Sequence, residues 1–133
     1  MQSNQEKLTN WFNALQSKAS ASIATAFANS RTKDSRLIIE GKSKLTGVWV
    51  GSQGFIDMIM LAKSISHSSI STTLFSCVAN ETDGMAVVHL KGNRENITVD
   101  QPIIYLFKFD SQGLIFETRL VPTNQKKYDQ FFS

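Results

Sequence analysis

Apolar residues recur at helical spacing at the start of this chain and at strand spacing in its second half. Leu8, Trp11, Phe12 and Leu15 form one stripe and predict an amphipathic helix from about residue 4 to 17. An Ala-rich stretch from about 19 to 29, with Ile23 and Phe27 one turn apart, predicts a second helix. Ser30 to Ser35 is polar and charged and reads as a loop, after which Leu37 to Ile39 open the first strand. Gly41, Gly47 and Gly51 punctuate an extended crossing that leads into a third helix. Ser52 is its expected N-cap, since a hydroxyl there satisfies an orphan amide of the first turn. Phe55, Ile56, Ile59, Met60 and Ala62 give that helix a broad apolar face, and it ends near Ser64 to His67.

From about residue 70 the period changes to two. Strands are expected at 71–79, 85–91, 97–110 and 114–121. The turns between them fall at 80–84, where Asp83-Gly84 supplies a positive φ, at 92–95 and at 110–113. Pro102 in the third of these strands implies an edge position, a bulge or a bend. Tyr105, Phe107 and Phe109 share one face, opposite Ile104, Leu106 and Lys108; Phe116, Thr118 and Leu120 oppose Ile115, Glu117 and Arg119. One sheet face is aromatic, and the other mixes apolar with charged groups as a face that meets water or a second subunit would. The tail from 124 to 132 ends in an aromatic pair able to dock as a short helix. Helices first and an antiparallel run afterwards is the α+β pattern.

Length and composition narrow the picture. A chain of 133 residues with nine Phe reads as one domain, 1–133, long enough to bury a sizeable core. The net charge of +3 comes from dispersed basic residues, with Lys126-Lys127 the only adjacent pair, which speaks against a nucleic-acid groove. Cys77 is the single cysteine, so no internal disulfide forms, and no Cys/His cluster suggests a metal. Nothing resembles a signal peptide or a membrane span, and the expectation is a cytoplasmic protein without membrane contact. His89 falls on the outer-face register of its strand, and His67 lies among serines beyond the third helix.

Three segments carry a resemblance. Leu8-Thr-Asn-Trp-Phe-Asn-Ala-Leu15, Gly41-Lys-Ser-Lys-Leu-Thr-Gly-Val-Trp-Val-Gly51, and Phe107-Lys-Phe-Asp-Ser-Gln-Gly-Leu-Ile115 running on to Arg119 resemble, in that order, the opening helix, the crossing and the closing hairpin of the nuclear transport factor 2-like superfamily. Within it the chain resembles the SnoaL-like and ketosteroid isomerase-like branch. The resemblance implies an α+β cone of the cystatin/nuclear transport factor 2-like kind, a curved antiparallel sheet wrapped around N-terminal helices. It also implies a deep apolar pocket and a homodimer formed through the open sheet face.

The resemblance implies a site as well. The isomerases place a tyrosine donor on the first helix, where Trp11 stands here, and a second donor on the strand position held by Tyr105. The base lies at the end of the first strand, where Glu40 is the nearest carboxylate. The acid that the cyclases carry after the last strand has no counterpart at Pro122-Thr-Asn124. Leu15, Trp49, Phe55, Ile59, Phe107, Phe116 and Thr118 are expected to line the pocket.

Chemically, Glu40 held between apolar walls would have a raised pKa suited to base work, with Tyr105 and Trp11 as oxyanion donors. Two functions follow. One is cofactor-free isomerisation, cyclisation or dehydration of an apolar or aromatic substrate by proton transfer. The other is a non-catalytic dimeric module that binds a small molecule or a protein. A carboxylate inside the cavity favours the first, and a cavity walled by apolar groups favours the second.

Overall fold

The computed structural model describes residues 3–16 and 30–133, and the side chains of 14–16 lie outside that description, as does the predicted helix at 19–29. Helix α1 (Asn4–Gln16) turns Leu8, Trp11 and Phe12 inward, as its apolar stripe requires. Strand β1 (Arg31–Ile39) begins six residues earlier than expected, within the segment read as a loop. Its alternation explains why: Arg31, Ser35, Leu37 and Ile39 are buried, while Lys33, Asp34 and Arg36 are exposed. The period of two runs from Ser35 to Ile39, and a register shift between Arg31 and Arg36 interrupts it at exposed Lys33, while polar side chains occupy the inward positions 31 and 35.

The glycine-marked crossing contains a further short strand, β2 (Gly47–Val50), antiparallel to β1. Helix α2 (Gly51–Ser66) follows at once, and Ser52 is not its cap. Val50 takes that position without any side-chain cap bond, and the turn is made by Gly51 at φ +69°. A Cβ at Gly51 would lie 2.9 Å from the Lys33 carbonyl oxygen, so backbone approach decides this corner rather than capping. The helix buries Phe55, Met58, Ala62 and Ile65, while Ile56 and Met60 face outward.

Strands β3 (Ser71–Ala79), β4 (Asp83–Arg94), β5 (Ile97–Phe109) and β6 (Ile115–Pro122) complete one six-stranded sheet in the order β2-β1-β6-β5-β4-β3. It is antiparallel except where β1 lies parallel to β6, a pairing between distant segments that local patterning did not show. Pro102 sits where the sheet narrows. Its carbonyl accepts from Thr123 N (3.2 Å) and Thr123 Oγ1 (2.8 Å), and its missing N–H lies on that same side, past the last β5–β6 pair.

A register shift opposite Phe109 interrupts β6, so that Ile115 is buried while Phe116 points outward. This β-bulge corrects the expected alternation and takes Phe116 off the inner face. The tail forms α3 (Gln125–Phe131), capped by Asn124, whose side chain accepts from Lys127 N. Buried Gln101 donates to Asn124 O (3.0 Å) and accepts from Asn124 N (2.9 Å), fixing the junction. Phe131 and Phe132 are fully buried, and Phe131 packs over Gly92. Among the described residues no helix is long and apolar enough to cross a membrane.

Candidate functional site

The inner face of the sheet and the helices enclose a cavity of about 520 Å³. Leu37, Val88, Leu90, Ile103 and Leu120 supply its sheet wall, and Phe55, Met58, Ile59 and Ala62 its helical wall. Each strand residue is there by parity, the rows on β4, β5 and β6 pointing to one side. Exposed Lys63, Ser68 and Ser71 to Thr73 mark the end open to solvent.

The buried polar group is one that sequence reading missed. Arg31 lines the cavity and is only 6% exposed. Its guanidinium carbon stands 4.9 Å from the Trp11 ring centroid and 5.9 Å from those of Phe55 and Phe107. Its Nη1 donates to Thr118 Oγ1. Burial lowers the Arg31 pKa to about 9, against a smaller raising effect from Tyr105, so the side chain is still a cation at neutral pH. The clue lay in the alternation of β1, whose inward positions 31, 35, 37 and 39 start with an arginine.

Tyr105, from β5, shares this region. Its ring lies 5.6 Å from that of Phe12. Burial pushes its phenol up to about 12 although Arg31 pulls the other way, so it is a neutral hydroxyl at neutral pH. Trp11 is 2% exposed and lines the cavity, and its indole N–H has no hydrogen-bond partner among the described residues. Three donors of different kinds therefore line one cavity: a guanidinium, a phenol and an indole.

Of the expected pocket residues, Phe55, Ile59 and Thr118 are on the lining with Trp11 and Tyr105. Others are not. Glu40 follows the inward Ile39 and so points outward, where it is exposed and paired with Arg119 on the outer face. Trp49 folds its indole N–H back to Leu45 O (2.9 Å) and packs on the core outside the cavity. Phe107 is fully buried behind the lining, its ring 6.2 Å from that of Trp11 and 6.1 Å from that of Phe12. The bulge removes Phe116, and the side chain of Leu15 lies outside the described residues.

No Asp, Glu, His or Cys is among the described residues lining the cavity. The segments 1–2 and 17–29 contain none by sequence. No group of His, Cys, Asp and Glu able to hold a metal occurs among the described residues.

The architecture is the cystatin-like, nuclear transport factor 2-like fold. A protein of unknown function with a cystatin-like fold from Xanthomonas campestris superposes with a TM-score of 0.85 at 16% identity, over 99% of each chain. A nuclear transport factor 2-like protein from Burkholderia thailandensis E264 gives 0.80 at 8% identity, over 100% of this chain and 99% of the other. TerC, co-crystallised with polyporic acid, gives 0.75 at 9% identity, over 98% of each. At these identities the likeness is one of fold. No family model matches the chain, and no curated protein matches it.

Proposed function

We propose that this chain is a small-molecule-binding protein whose cone encloses an apolar or aromatic ligand, and that it does not perform carboxylate-driven proton transfer. One observation carries the reading: a cavity of about 520 Å³, within the range that small ligands fill, is walled by aliphatic and aromatic side chains and contains no acid, imidazole or thiol among its described lining. Proton abstraction from carbon needs a base within hydrogen-bond reach of the substrate. Glu40 is on the wrong side of the sheet, and neutral Tyr105 is a donor rather than a base. TerC, which shares the fold, was crystallised with a small molecule, and this supports the same use of the cone here.

The proposal includes a homodimer formed through the outer sheet face. Val78, Met85 and Leu106 lie in one cross-strand row on that face, each more than a third exposed, and Phe75, Phe116 and Val121 add exposed apolar area on neighbouring strands. A patch of this kind on a sheet fits self-association.

The test is calorimetric titration with neutral probes of increasing size: benzyl alcohol, 1-naphthalenemethanol and dodecanol. At least one is expected to bind, and Ala62→Phe, which fills the helical wall, is expected to weaken it about tenfold or more. Glu40→Gln is expected to leave binding unchanged. Absence of binding by the whole series and by its carboxylate counterparts would sink the proposal.

A further inference from the structure

We propose that the cone is specific for ligands carrying a carboxylate on an apolar body, and that Arg31 is the anchor for that carboxylate, with the Tyr105 hydroxyl and the Trp11 indole N–H as accessory donors. The inference rests on the reading that the cavity holds a small molecule, and it names the chemical class.

The first support is the charge of the lining. Arg31 and Lys63 are the ionic residues of the described lining, and both are cationic. A cavity with positive lining and low-dielectric walls selects anions, because the field is focused where water is excluded. Lys63 stands at the solvent-exposed end and Arg31 at the buried end, so an incoming anion meets positive charge along its path.

The second support is the chemistry of the donors. A guanidinium is planar and matches the two oxygens of a carboxylate with parallel N–H bonds, which a point-charge ammonium does not. Here it is held by stacking on Trp11 and by its bond to Thr118 Oγ1, so its orientation is set before a ligand arrives. Preorganised donors lose little freedom on binding.

The third support is independent of Arg31. The Trp11 Nε1–H is buried without an acceptor among the described residues, on a residue that lines the cavity. Buried donors are almost always satisfied, and an indole can only donate. An acceptor oxygen on the ligand resolves that deficit. Tyr105, neutral and on the same lining, adds a hydroxyl that donates to the same anion.

Matched pairs of probes separate this proposal from the one beneath it: benzoate with benzyl alcohol, 1-naphthoate with 1-naphthalenemethanol, and dodecanoate with dodecanol. Titrated against the whole chain at neutral pH, the carboxylate of at least one pair is expected to bind about tenfold or more tighter than its alcohol, which is about 1.4 kcal/mol. Arg31→Met is expected to abolish that preference, read as the ratio of carboxylate to alcohol affinity within each pair. Arg31→Lys is expected to restore part of it. Trp11→Phe, which keeps a ring and removes the N–H, is expected to weaken the carboxylate more than its alcohol, because a bond to a charged acceptor is the stronger one.

If Arg31→Met does not fold, the wild-type preference and the Trp11→Phe variant still decide. Alcohols and carboxylates binding equally, or alcohols binding tighter, would overturn the anion assignment and leave the small-molecule reading standing. A preference that survives Arg31→Met intact would overturn Arg31 as its anchor. Failure of every probe in both series would overturn both.

Discussion

At the scale of the residue, the chain's two tyrosines report directly on the interior. Burial raises both phenols, Tyr105 to about 12 and Tyr128 also upward, the latter reinforced by Tyr105 and Asp129. An unfolded tyrosine ionises near 10.0. Between that value and the folded one the native state keeps protons that the unfolded state has released, so the tyrosines' contribution to stability is complete below about pH 10 and is lost as pH rises through the folded values. Arg31 acts in the opposite sense, since burial lowers its pKa to about 9 and above that it is the unfolded chain that holds the extra proton. The expected outcome is that phenolate absorbance fails to rise at the ordinary tyrosine pKa and appears together with loss of native circular dichroism. A normal, reversible tyrosine titration in folded protein would contradict the burial of both rings.

Glu40 shows what one residue of parity is worth. It adjoins Ile39, which is 1% exposed, and yet lies on the other face of the sheet. An exposed pair such as Glu40–Arg119 contributes about 0–1 kcal/mol, so Glu40→Gln is expected to change the denaturation midpoint little.

At the scale of the element, the corner between β2 and α2 depends on backbone conformation. Gly51 has φ +69° and would set a Cβ 2.9 Å from a carbonyl oxygen of β1. Gly51→Ala is expected to destabilise the fold by about 1–3 kcal/mol through strain alone, read as a shift in denaturant midpoint with an unchanged slope. A serine at position 52 satisfied the sequence rule for a helix start, but the chain turns one residue earlier and no side chain caps it. The described helices and the four C-terminal strands were legible because their periodicities of 3.6 and 2 express which side is buried. β1 was half legible. Leu37 and Ile39 marked its end, whereas its start carries buried Arg31 and Ser35, which read as loop when polarity is taken for exposure. The bulge at β6 was invisible for a related reason: two residues facing one on the partner is a property of the pair.

At the scale of the whole molecule, the outer sheet face leaves apolar rows open to solvent beside hydrogen-bonded polar pairs. Arg119 ends one row with its bond to Glu40, and His89, stacked 5.3 Å from Phe75, pairs with Asp100 nearby. If this face is the dimer interface, Leu106→Glu places a charge within its apolar row and is expected to give a monomer in sedimentation velocity. The same variant is expected to keep its native circular dichroism and its ligand binding, since Leu106 is 40% exposed and lies outside the cavity. A wild-type chain that sediments as a monomer at high concentration would dispose of the dimer.

By itself the sequence determined the α+β class, the order of the described helices and of the four C-terminal strands, and the aromatic inner face of β5, because each is encoded in local hydrophobic period. It also bounded the chemistry, by scattering its charge and by leaving cysteine and histidine scarce. Only the tertiary structure decided the site. The parallel pairing of β1 with β6 and the stacking on α1 bring Arg31, Thr118, Tyr105 and Trp11 to one cavity, while Glu40 is left in solvent. Proximity among residues separated by up to 107 positions arises from strand pairing and packing, which no local pattern contains. The residue that now carries the functional reading, Arg31, was recognisable only once its burial was known, because an arginine acquires its meaning from the dielectric around it.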